Sequence, residues 1–127
     1  MSTIERVKEF HDAMGVTTPS APTIPDDKIV TLRFDLIMEE LNELSVALLD
    51  RDKVEVLDAL TDLQYVLDGA YLVFGMAHLK ERAFQEVHRS NMSKLGADGK
   101  PILSESGKIL KPDTYSPPNL KQFIDNE

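Results

Sequence analysis

A chain of 127 residues is the size of one domain, and 42% hydrophobic against 28% charged residues places it among folded rather than disordered sequences. Without cysteine it can hold no disulfide framework, thiolate zinc site or cysteine nucleophile, and a net charge of -8 repels a nucleic-acid backbone except across a basic patch or bound cations. No run of about 18 apolar residues suggests a membrane span and the first residues lack the apolar core of a secretion signal, so we expect a cytoplasmic protein that partners neither a membrane nor a nucleic-acid polymer.

Ile4, Val7, His11 and Met14 recur at helical spacing, Ser2 with Glu5 forms a capping box, and Gly15 supplies a stop, which predicts a first helix over 3–14. Residues 16–26 hold three prolines and read as a surface connector rather than a domain boundary. Asp26 or Asp27 caps a second helix whose apolar stripe is Ile29, Leu32, Leu36, Leu41, Leu44 and Leu48, and Asp50-Arg51-Asp52 turns the chain. A third helix over 53–74 carries Val56, Leu57, Leu60, Leu63, Leu67, Ala70, Tyr71 and Phe74, and the short turn makes it an antiparallel hairpin partner of the second. Gly75 breaks this run. A fourth helix is expected over 77–95, with Gly96 as a left-handed cap. Beyond it, Ile102-Leu103 and Ile109-Leu110 form a short hairpin across 104–107. The fold class is therefore all-α: a four-helix bundle with an extended C-terminal tail. We expect one domain over 1–127, its helical core at about 3–95 and a tail at 96–127 that contacts substrate or another subunit.

At about 100° per residue, Glu39 and Glu43 lie nearly in line on the second helix, with Glu40 beside them near the apolar side. Glu55, Asp58 and Asp62 follow i, i+3, i+7 spacing on the third and occupy one sector of roughly 60°. The hairpin brings 43 level with 58 and 39 level with 62, so the two acidic stripes can face each other. Opposed carboxylates in a partly buried groove repel and resist desolvation unless cations neutralise them. Oxygen-only ligands select a hard divalent ion, magnesium or manganese, which would join an acidic protein to an anionic substrate.

Taken singly, each acid also has an ordinary explanation as a solvated helix face, and Glu55 could complete a capping box with Asp52. A ferritin-like di-metal oxidase also sets carboxylates inside a helical bundle, but it needs Glu-x-x-His pairs. Here His11, His78 and His88 follow Lys8, Gly75 and Gln85 at that spacing. A non-catalytic acidic module that binds cations or a basic partner remains a third alternative.

The runs Glu39-Glu40-Leu41-Asn42-Glu43 and Glu55-Val56-Leu57-Asp58 resemble the EExxE and ExxD signature of the all-alpha NTP pyrophosphohydrolases, which include MazG-like enzymes, dimeric dUTPases and phosphoribosyl-ATP pyrophosphohydrolases. The eleven residues between Glu43 and Glu55 sit near the short end of the family's spacing. The likeness continues through Asp58-Ala59-Leu60-Thr61-Asp62, Phe84 to Leu95, Asp98-Gly99-Lys100-Pro101, Gly107-Lys108 and Tyr115-Ser116-Pro117-Pro118, covering most of the chain after residue 28. It implies a MazG-like bundle in which Glu39, Glu40, Glu43, Glu55 and Asp58 hold Mg2+, with Mn2+ as a substitute. It also implies attack of water on the α-phosphorus of a nucleoside triphosphate, giving the monophosphate and pyrophosphate, with Glu40 or Glu43 orienting or deprotonating the water. Phosphoribosyl-ATP is the alternative substrate.

His88, Arg89, Asn91 and Lys94 close the fourth helix, and Lys108 and Lys111 follow in the tail. The resemblance makes Asn91 and Lys94 substrate contacts, with Arg89, Lys111 and Asp62 as further candidates, while His88 is read as complementing the helix dipole. Phe34, Tyr65, Tyr71 and Phe74 are read as core or subunit-contact residues, and Tyr115 as a loop anchor or a base-stacking ring. Apolar residues on more than one side of the long helices, such as Ile37 and Val46, predict a homodimer or tetramer.

Overall fold

The structure, a computed structural model, describes residues 1–125. Its elements run α1 (Thr3–Met14), α2 (Asp27–Leu49), α3 (Lys53–Val73), a 3-10 turn (Ala77–Leu79), α4 (Lys80–Met92) and α5 (Lys121–Asp125), in two compact units, Met1–His78 and Leu79–Glu127. The architecture is all-helical, as the periodicities predict, and no helix among the described residues is long and apolar enough to cross a membrane.

Local chemistry sets the helix limits in the first unit. Ser2 Oγ accepts from the Glu5 amide at 3.1 Å, and Gly15 closes α1 at φ 73°. Asp26 caps α2 through the Ile29 amide at 3.1 Å, and Asp52 caps α3 through the amides of Val54 and Glu55 at 3.1 and 3.2 Å. Between them Arg51 takes φ 54°, the one non-glycine residue with positive φ among those described, so the hairpin turn carries a small backbone strain.

Both α1 and α2 pack on α3. The buried apolar residues of this unit are small or β-branched: Val7, Ala47, Ala59, Ala70 and Val73, with Leu72. Small side chains let the helices pack closely, and Gly69 leaves room for two side chains of the neighbouring helices. A Cβ there would lie 3.2 Å from both Arg33 Nη1 and His11 Nε2. His11, only 4% exposed, is thus an interior residue of the α1 interface. Burial first, then the positive Arg33, lowers its pKa below the usual 6.5, with Asp12 opposing.

The α2 stripe expected to be internal divides in two. Leu36 and Leu44 are half-buried, next to the buried Ala47 that lay outside that stripe, whereas Ile29, Leu32, Leu41 and Leu48 are exposed. With Arg33 and Glu40 occupying part of the inner side, apolar residues at Phe34, Met38, Leu41 and Leu48 fall on another side of the helix and stay exposed among the described residues.

In the second unit the sequence expectation needs correction. α4 stops at Met92, three residues before Leu95, and Gly96 is absent from the positive-φ glycines. Ser93 ends the helix instead: its hydroxyl donates to Ser90 O at 2.6 Å and accepts the Ser116 amide at 2.8 Å, a contact 23 residues away in sequence. Gly96 then begins a turn closed by Gly99 at φ 75°, with Leu95 bridged to Pro101. The hairpin across 104–107 is present, through the Leu103 to Ile109 bridge and the Ser104 and Leu110 amides, but it is too short to form a named strand.

Candidate functional site

Glu40 and Glu43 on α2 and Asp62 on α3 each present a carboxylate oxygen such that all three lie within 4.8 Å of one another. Glu40 and Asp62 are half-buried and Glu43 is exposed, so the cluster opens to solvent on one side. Glu40 Oε2 is buried without a hydrogen-bond partner. Burial raises the Glu40 pKa above its usual 4.5, and Glu43 adds to this by charge and hydrogen bond, followed by Asp62 and Glu39. Burial also raises Asp62 above 3.8, with Asp58 and Glu43 contributing. No ion pair of the described residues reaches these acids to offset the repulsion. A buried orphan oxygen and three converging carboxylates, with no nitrogen or sulfur donor, fit a hard divalent cation.

Glu43 belongs to a second grouping as well. With Asn42, Asp50, Glu55, Asp58 and Ala59 it lines an open groove of about 370 Å³. The five acids expected to hold metal are therefore distributed: Glu43, Glu55 and Asp58 along the groove, Glu40 in the deeper cluster, and Glu39 exposed, acting on Glu40 through its charge. Asp62, set apart from those five in the sequence reading, is a member of the tight cluster. Its stripe position signalled this, but which α2 acids it meets depends on how α2 rotates about its axis.

The second unit gathers cations. Lys94 Nζ and Lys111 Nζ stand 6.0 and 5.0 Å from the centroid of the Tyr115 ring. Asn91 and Lys94 also border a cavity of about 480 Å³ with an apolar floor of Met92, Leu95, Pro101 and Ile109. His88 is exposed. Arg89 is engaged elsewhere: Nε and Nη2 donate to the two Glu86 oxygens at 2.7 and 3.0 Å, and Nη2 also donates to Pro117 O at 3.2 Å. Glu86 was missed by the sequence reading, although opposite charges at i, i+3 on a helix are a usable signal. The Arg89 fork, and then the Asn119 amide at 2.7 Å, lower the Glu86 pKa to about 2.

No curated protein matches the chain. A family model does: the phosphoribosyl-ATP pyrophosphohydrolase model matches residues 7–91, a span that includes both helices of the acidic cluster. On that match the chain belongs to the phosphoribosyl-ATP pyrophosphohydrolase family, and through it to the all-alpha NTP pyrophosphohydrolase superfamily of hydrolases.

Proposed function

We propose that the protein is a magnesium-dependent nucleotide pyrophosphohydrolase that converts a (d)NTP and water to the (d)NMP and pyrophosphate. The observation that carries this reading is the convergence of Glu40, Glu43 and Asp62 around a buried, unpartnered carboxylate oxygen. In the reaction a water oxygen bonds to the α-phosphorus, the bond from that phosphorus to the bridging oxygen breaks, and pyrophosphate leaves with the electron pair. Glu39, Glu40, Glu43, Glu55 and Asp58 would hold the Mg2+, with Asp62 beside them, and Mn2+ would substitute. When bound, the ion supplies the positive charge that lets a polyphosphate approach so many acids. Glu40 or Glu43 would orient the attacking water or take its proton. Lys94 and Lys111 are proposed as phosphate contacts and Asn91 as a polar contact to the nucleotide. Phosphoribosyl-ATP is a second substrate reading, favoured by the family match. A homodimer or tetramer is supported by the uncovered apolar side of α2.

A panel of the common ribo- and deoxyribonucleoside triphosphates together with phosphoribosyl-ATP, incubated with Mg2+, tests the reading by its products. Monophosphate and pyrophosphate should appear from at least one of them, and Glu43→Gln should lower that rate by about a hundredfold or more. Absence of hydrolysis across the panel, with Mn2+ binding intact, would overturn the proposal.

A further inference from the structure

We propose that Glu86 and Arg89 form a positioning clamp that holds tail residues 114–119 along α4 and thereby assembles Lys94, Lys111 and Tyr115 into one anion site. The inference rests on the reading of Lys94 and Lys111 as phosphate contacts.

Glu86, Arg89 and Ser93 are spaced i, i+3, i+7 and so share one face of the helix end. Each holds a backbone group of the tail. Glu86 Oε2 accepts the Asn119 amide at 2.7 Å, Arg89 Nη2 donates to Pro117 O at 3.2 Å, and Ser93 Oγ accepts the Ser116 amide at 2.8 Å. As α4 advances from 86 to 93, its tail partners descend from 119 to 116, which makes the tail an antiparallel strap with a fixed register. The hydroxyl of Thr114 continues it by donating to Leu95 O at 3.2 Å.

Sequence chemistry suits this arrangement. Pro117 and Pro118 stiffen the strap and have no amide donors to satisfy, leaving the Pro117 carbonyl free to accept from Arg89. Arg89 gives its Nε and Nη2 edge to both Glu86 oxygens and the Pro117 carbonyl, so that edge positions the tail rather than receiving phosphate.

Between the Thr114 and Ser116 anchors lies Tyr115, with Lys94 and Lys111 both near its ring. Neither lysine forms an ion pair with a carboxylate among the described residues. Two like charges held near one ring repel until an anion joins them, and the strap opposes that repulsion. Without the clamp the tail would have to be ordered during binding, and affinity would fall accordingly.

The test uses the full chain, inorganic tripolyphosphate as the probe, and Glu86→Gln and Arg89→Ala as variants at partly solvent-facing positions. Both variants should speed hydrogen exchange at the Ser116 and Asn119 amides and weaken tripolyphosphate binding by roughly three- to tenfold. In turnover they should raise KM and leave kcat within about twofold, and Mn2+ binding at the acidic cluster should not change. Lys94→Ala and Lys111→Ala are the reference variants. If these weaken tripolyphosphate binding while Glu86→Gln and Arg89→Ala do not, the clamp is overturned and the phosphate reading stands. If the lysine variants bind normally, the phosphate reading fails, and the inference with it.

Discussion

At the scale of single residues, Glu40 and Asp62 hold protons more tightly than ordinary carboxyls because burial and neighbouring acids both penalise the charged form. A folded-state pKa above the unfolded value means that the folded chain binds more protons in the window just above 4.5 for Glu40 and 3.8 for Asp62. Stability contributed by these groups is therefore present at low pH and lost as pH rises through that window. Glu86 has the opposite sign: its pKa of about 2 makes its contribution complete above 4.5 and lost as pH falls towards 2. At neutral pH without metal, Asp62→Asn should thus raise the melting temperature, by on the order of 3 °C, and flatten its fall with pH, because one of the mutually repelling charges is gone. Added Mg2+ should stabilise the unaltered chain more than the variant. Thermal unfolding with and without chelator reads both effects, and a lower melting temperature for metal-free Asp62→Asn would mean that this carboxylate is a favourable structural partner instead.

At the scale of elements, the first three helices were legible because their ends are set locally. Ser2, Asp26 and Asp52 act within three residues of themselves, and Gly15 stops α1 by its own conformation. The end of α4 was not legible, because Ser93 stops it by bonding to Ser116 across the tail, and no window of local sequence contains that contact. Gly75 combines both kinds of constraint. It takes φ 67°, and a Cβ there would lie 1.9 Å from the carbonyl oxygen of Ala21, in the loop whose Thr23 amide donates to Phe74 O at 2.8 Å. Gly15 takes a similar φ of 73°, but a Cβ there would meet nothing within 4 Å. Gly15→Ala should therefore cost only the left-handed strain, about 1 kcal/mol, while Gly75→Ala adds a backbone collision and should cost about 3 kcal/mol. Urea unfolding midpoints separate the two, and equal losses would show that the loop over 19–23 does not close on the end of α3 in solution.

At the scale of the whole molecule, charge is unevenly shared: residues 1–78 carry 15 acidic and 6 basic side chains, and residues 79–127 carry 7 and 8. The acidic stripes were readable from spacing alone, since i, i+3, i+7 positions share a face in any helix. The choice of Glu40 with Asp62 was not, because it follows from the rotation of α2, which is set by packing of Leu36, Leu44 and Ala47 rather than by the acids themselves. That same rotation turns another face outward. Phe34, Leu41 and Leu48 remain 61%, 46% and 56% exposed, and with Met38 they fall on one side of α2 at i, i+4, i+7 and i+14. A continuous apolar side on an amphipathic helix is a burden for an isolated chain and a natural seat for a second copy. Leu41 lies about 200° around the helix from Glu43, so altering it should leave the acidic cluster intact. Sedimentation equilibrium should then find the unaltered chain at a multiple of 14.2 kDa and Leu41→Lys at the single-chain mass, with Mn2+ binding retained. A single-chain mass for the unaltered protein would remove the proposed assembly, and an undiminished multiple for Leu41→Lys would move the contact away from this face.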